Sequence, residues 1–196
     1  MSWSEVALLT VVVAALALWS VWVSASRLDR LHRKVVASRL ALLAQLDRRA
    51  RASVDLASSG LLDPASAVLV ADAAFAVVDE GERPAEPSTA EAFSLSGLTP
   101  TRERAESALS VTLRSVLDDE TLEAVGSSDP GGRLVGDLAS AAYRAQLARR
   151  FHNEAVAQAQ RARRPRVVRW LRLAGRAPLP RTVELDDQLP AGLDHP

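Results

Sequence analysis

VALLTVVVAALALWSVWV, residues 6–23, runs for 18 positions without a charge, and Arg27, Arg30, Arg33 and Lys34 follow directly. A bilayer core needs about 20 apolar residues in helical form, and Ser24 with Ala25 extends the uncharged span to that length. Trp3 near one end and Trp19 with Trp22 near the other stand where amphipathic rings favour the interface. A cleaved secretory signal is the competing reading, since Val23-Ser24-Ala25 has the small residues of a cleavage site. Secretory signals begin basic, whereas Met1–Glu5 carries no Lys or Arg. A retained anchor is therefore expected. All the nearby positive charge follows the span, which predicts the N-terminus outside and the bulk of the chain cytoplasmic, at the inner (plasma) membrane.

Downstream of the anchor, about 170 residues suffice for one domain with a modest core. The chain has no cysteine, which excludes a disulfide framework and any Cys-based metal site. Aromatic residues make up only 4% of it, which disfavours a sheet sandwich and suits helices packed through Ala and Leu. The net charge of zero conceals segregation. Residues 27–51 carry eight basic and two acidic groups, and residues 54–143 five basic and sixteen acidic. Eight arginines and no acid lie between 161 and 181; Glu184, Asp186, Asp187 and Asp194 follow. Such blocks govern attraction between segments and to membrane surfaces.

Apolar periodicity predicts an all-α protein: an N-terminal transmembrane helix that continues into an antiparallel up-down bundle of about four helices. Leu28, Leu31, Val35, Leu42, Leu46, Ala50 and Val54 mark the buried side of the first helix, which Gly60 should end. Asp63-Pro64 opens a second helix, expected to be a buried one closed by Gly81. Residues 82–98 read as a loop with a short turn near Ala90–Phe93. Thr99-Pro100 starts a third helix reaching to about Val125, with Ala105, Leu109, Leu113, Val116 and Leu117 on one face. Gly126–Gly132 reads as a turn, and the last long helix is expected from about Arg133 to Arg164. Its seam alternates by four and three: Leu134, Leu138, Ala141, Ala145, Ala148, His152, Ala155, Ala159 and Ala162. Tyr143, Leu147 and Phe151 should widen that apolar face. The predicted organisation is an anchor over 1–25, the bundle over 26–164, a short basic amphipathic helix over 165–176 and an acidic tail, expected to be disordered, over 177–196.

In an up-down bundle rooted in a membrane the fourth helix returns to the bilayer. This places Arg161, Arg163 and Arg164 at the membrane face, followed by Arg166, Arg169, Trp170, Arg172 and Arg176. On a helical projection, Val167, Val168, Trp170, Leu171 and Ala174 fall on one side and Arg166, Arg169, Arg172 and Arg176 on the other, with Leu173 the exception. An apolar stripe with Trp, opposed by arginines, is the pattern of a helix lying in a headgroup interface, so anionic lipid is an expected partner. The alternative is a helix packing its Trp170 side on the bundle base. Nucleic acid is not expected, since only Trp170 could stack on bases and no binding module is visible.

No Gly-rich phosphate loop, H-E-x-x-H or G-x-S-x-G is present. Asp29 with His32 falls short of a metal site. His152 reads as a buried histidine bonded to a neighbouring helix, and Asp118-Asp119-Glu120 as a solvated helix end. No enzymatic activity, catalytic residue, metal site or cofactor is expected. Gln45-Leu46-Asp47-Arg48-Arg49 and, above all, ARRFHNEAV at 148–156 resemble the LemA family of bacterial inner-membrane proteins. The match is closest over about 20 residues. The chain departs from the family pattern at Arg51–Asp55 and after Val156, as a divergent member would. The resemblance implies a membrane-tethered antiparallel helical bundle with envelope-associated roles. The function expected is a non-enzymatic interaction or scaffold module with an unidentified membrane or cytoplasmic protein partner. The alternative is a coiled-coil or stalk subunit of a larger membrane complex, and Gly60 and the 126–132 breakers interrupt the heptads that it would need.

Overall fold

Residue 3 begins a single helix that continues without a break to Ser58, far past the apolar run. The computed structural model describes residues 3–82, 97–165, 168 and 179–193. Among them, five α-helices and no strands are found: α1 (Trp3–Ser58), α2 (Pro64–Glu82), α3 (Pro100–Val116), α4 (Asp119–Gly126) and α5 (Asp129–Arg163), with a 3₁₀ turn at Ala191–Leu193. At 1.5 Å per residue α1 is about 84 Å long. The helices begin where the capping chemistry of the sequence allows. Asp63 Oδ1 accepts from the N–H groups of Ala65 and Ser66, and Thr99 Oγ1 accepts from Arg102 N. Each satisfies a donor that the first helical turn leaves open. Past the end of α1, Gly60 adopts φ 74°, a left-handed conformation that costs glycine nothing and other residues strain.

α1 packs against α5 and α2, α2 against α3, and α4 against α5 and the 3₁₀ turn. The core thins along α1. Around its end, Ala50, Leu56 and Ala57 join Val70, Ala74, Val77, Leu109, Leu113 and Leu138 in the largest cluster. Midway, Leu42 and Leu46 meet Ala145, Leu98 and Val183. Nearer the apolar run Val35 packs against Ala155, Val156 and Ala159, and Leu28 is the last buried residue before it. Over 6–23, by contrast, α1 has no buried residue, and only Val21 is half-buried. It is the one helix among the described residues long and apolar enough to cross a membrane.

Several boundaries and faces differ from the sequence reading. The expected third helix breaks at Leu117, because the Asp118 carboxylate accepts from Thr121 N and starts α4 afresh. The last helix starts at Asp129, inside the expected turn, because Ser128 Oγ caps Gly131 N and Pro130 suits a first turn. α2 is buried on one side only: Val70, Ala74 and Val77 face inward while Val68, Leu69 and Phe75 are exposed. Tyr143, Leu147 and Phe151 do not widen the buried face of α5 either; all three lie exposed. The loop expected at 82–98 lies outside the described residues except for its ends.

The clearest correction concerns the tail. Residues 179–193 are not disordered: 179–190 run without helix or strand as a strap between α3 and α5 and lead into the 3₁₀ turn, with Val183 and Leu193 buried. The close turn between α4 and α5 leaves no room at Gly131, where a Cβ would run into the Val125 carbonyl and Ser128 Oγ. Gly131→Ala should therefore destabilise the protein by about 1–3 kcal/mol, the range for overpacking, despite alanine's better helix propensity. Chemical denaturation of the variant against the parent measures this.

Candidate functional site

The junction between α1 and α5, just past the apolar run, brings Arg27 of α1 together with Arg161 and Arg163 of α5. A cavity of about 510 Å³ opens there, lined by Ser24, Arg27, Leu28 and Leu31 of α1, Gln158, Arg161 and Ala162 of α5, and Pro165 and Val168 beyond. Arg161 Nη2 lies 3.0 Å from Glu154, and both side chains are more than half exposed, so the pair contributes little. On the other side of Leu28 and Leu31 a smaller cavity of about 230 Å³ is lined by Asp29, His32 and Arg163. Burial lowers the Arg163 pKa. Burial, with Arg163 nearby, also lowers that of His32, against the opposing pull of Asp29. Asp29 itself pairs with Arg33 at 2.7 Å. Arg164 caps α5 and is exposed. The side chains of Arg166, Arg169, Trp170, Arg172 and Arg176 lie outside the described residues.

A second constellation is one that the sequence reading did not find. Along one side of α5, Gln146, Arg149, Asn153 and Gln160 reach the strap in turn. Asn153 Nδ2 donates to the Val183 carbonyl at 3.0 Å and its Oδ1 accepts from Val183 N at 2.9 Å. That two-point clamp imitates a strand neighbour. Arg149 grips Asp187 through Nε and Nη2 at 2.7 and 2.9 Å, and Gln160 donates to the Pro180 carbonyl at 2.9 Å. From α3, Arg114 forms a two-pronged pair with Asp186, whose carboxyl that hydrogen bond holds below the usual carboxylate range. Ser107 accepts from Asp186 N and Ser110 donates to its carbonyl. The acidic block 184–187 thus lies against arginines of two helices. The signal was present as polar residues at 146, 149, 153 and 160, spaced to share a helix face.

His152 sits beneath the strap, fully buried, with Nδ1 3.1 Å from Ser38 Oγ. It is bonded to a neighbouring helix, as expected. Burial is the main cause lowering its pKa, Arg39 adds to it, and the nearby Arg181 backbone opposes. The sign follows. The unfolded chain binds a proton near pH 6.5 that the folded chain accepts only at lower pH. The stabilisation is full above that value and declines as pH falls below it. His32 is shifted the same way. Unfolding free energies between pH 7 and 5 should therefore fall with a slope that His152→Gln reduces, by at most about 1.4 kcal/mol per pH unit. Urea titrations of parent and variant across that range measure the difference.

The third constellation is a buried ionic network. Glu106, with no exposed surface, receives Arg49 Nη2 at 2.7 Å and Arg102 Nε at 2.8 Å. Arg49 also donates to Ser110 Oγ at 2.8 Å, and Arg102 to Asp47 Oδ1 at 2.7 Å. Asp47 and Arg49 belong to the QLDRR block, so those residues tie α1 to α3.

The acids that an enzymatic reading would use are scattered. Asp72 is exposed on α2, and Asp118 is the α4 cap, its pKa lowered by its hydrogen bonds with Thr121. Among the described residues no group of three or more His, Asp or Glu is placed to hold a metal ion. Protein-family models, curated proteins and solved structures offer no match to this chain.

Proposed function

We propose that this chain is a LemA-like, single-pass membrane protein whose anchor continues into an antiparallel up-down bundle. It acts without enzymatic activity as an interaction or scaffold module on the cytoplasmic face of the inner membrane. One observation carries the proposal. The apolar stretch of α1 is buried by none of the described residues, while the same helix gives Leu28, Val35, Leu42, Leu46, Ala50, Leu56 and Ala57 to the core. An apolar rod of that length exposed to water is a large unfavourable surface, and lipid removes the cost. The bundle topology is supported by the order of pairings. Lys34 meets Gln158 and Ser38 meets His152, so the numbering on α1 and α5 runs in opposite senses. Arg27, Arg30, Arg33 and Lys34 directly after the span support the cytoplasmic side for the bundle. A docking role is supported by Leu147 and Phe151, exposed beside a cavity of about 240 Å³ between α1 and α5 with Arg144 on its wall.

Cells expressing the full chain with a compartment-sensitive reporter after Lys34, or at the C-terminus, test the reading. Both fusions should report the cytoplasm, and alkaline carbonate should leave the chain in the membrane pellet. A mature chain that begins at Ser26 and is recovered in the soluble fraction would overturn it.

A further inference from the structure

Ser24 to Leu28 is the stretch of α1 that would lie level with lipid headgroups if residues 6–23 span the bilayer. This inference rests on that reading. Arg27 is four residues beyond Val23, about 6 Å along the helix axis. The polar layer on each side of a bilayer is about 5–8 Å deep, half the difference between its total and hydrocarbon thickness. At that level α1 does not stand alone, because the end of α5 returns to it. The cavity of about 510 Å³ lies between them, inside the range of small-molecule sites.

Its walls differ in chemistry. Arg27 of α1 and Arg161 of α5 line it from the two helices, with Ser24 beside Arg27, its hydroxyl donating to the Ser20 carbonyl. Leu28, Leu31, Ala162 and Val168 supply an apolar wall. Arg27 makes no ion pair among the described residues, while Arg161 shares one exposed contact with Glu154 and keeps other N–H edges open. Guanidinium groups bind phosphate oxygens through paired N–H donors. An apolar wall beside them fits the glycerol backbone and upper acyl chain of a molecule already in the leaflet. The smaller neighbouring cavity is a poorer candidate, since Asp29 lines it and would repel an anion. We propose that the larger cavity binds the phosphodiester headgroup of an anionic phospholipid, held between Arg27 and Arg161. A zwitterionic headgroup would bring its own cation toward those arginines and is disfavoured there.

The full chain in nanodiscs of phosphatidylcholine containing a minor fraction of phosphatidylglycerol tests the site, with native mass spectrometry counting the lipid retained on the protein. Phosphatidylglycerol should be retained in preference to phosphatidylcholine. The double variant Arg27→Gln/Arg161→Gln should lower that preference by about tenfold or more, as expected for two basic groups near a surface. The control Arg51→Gln/Arg150→Gln removes the same charge at two exposed positions away from the cavity and should leave the preference intact. Equal loss in both variants would show that only diffuse charge matters and would overturn the site. So would displacement of the retained lipid by inorganic phosphate at concentrations equal to the lipid's, which would make a free anion the ligand. Release of the chain from the disc by alkaline carbonate would defeat the anchoring reading and the site together. A retained chain without lipid preference defeats the site alone.

Discussion

Glu106→Gln is expected to destabilise the protein by about 3–5 kcal/mol, the range found when one partner of a buried ion pair is removed. Glutamine nearly preserves shape, so no cavity accounts for the loss. The cause is charge: Glu106 faces Arg49 and Arg102 at 2.7 and 2.8 Å, and both arginines are buried. Arg102 keeps Asp47 as a second counter-ion. Arg49 keeps only neutral hydrogen-bond acceptors, Ser110 Oγ and the Glu106 carbonyl, with Asp186 acting on its charge from farther away. A buried cation without a directly bonded counter-ion is the expensive species. The triple variant Arg49→Met/Arg102→Met/Glu106→Leu should recover most of the stability, since apolar groups of similar volume replace such networks at little cost. Denaturation of the full chain in detergent, followed by helical circular dichroism, measures both. A Glu106→Gln loss below about 1 kcal/mol, the size of an ordinary hydrogen bond, would remove the network from any stabilising role.

Val183→Asp is expected to expel the strap. Val183 has no exposed surface and packs with Leu42, Leu46, Leu98 and Ala145, where a carboxylate would find no cation among the cluster members. Departure of the segment forfeits the burial of a valine, about 1.5–3 kcal/mol. It also frees Arg114, Arg149 and Asn153 from their strap partners. Residues 179–193 should then exchange amide hydrogens rapidly and become sensitive to protease, while α2 and α3 remain protected. Unchanged protection of the strap in the variant would mean that its polar contacts suffice without Val183. Val183→Ile, which keeps the apolar contact, separates packing from backbone disruption.

Helix identity was readable because a long periodic face has few alternatives. The seam positions Leu138, Ala141, Ala145, His152, Ala155 and Ala159 are all buried, as a 3.6-residue period requires. Breaks governed by a single cap were harder to read. Leu117-Asp118 continues the apolar pattern, yet the carboxylate of Asp118 bonds the backbone and restarts the helix. Exposed Phe75, Leu147 and Phe151 are apolar residues that periodicity assigns to a face without saying whether anything covers it. The candidate junction was half legible: charge and parity brought Arg161, Arg163 and Arg164 to the end of the apolar run. Arg27 as the opposing wall emerges only once α1 and α5 are placed side by side.

By itself, the sequence determined the uncharged leading rod, the helical class and the basic cluster behind the rod, because each depends on neighbours close along the chain. Tertiary structure alone decided that the acidic tail would become a strap. Val183 has no periodic pattern around it, and its amide and carbonyl are satisfied by Asn153 thirty residues away. The same holds for Arg49 and Glu106, separated by 57 positions. Each alone reads as a surface charge, and only packing puts the two within a hydrogen bond of one another, away from water.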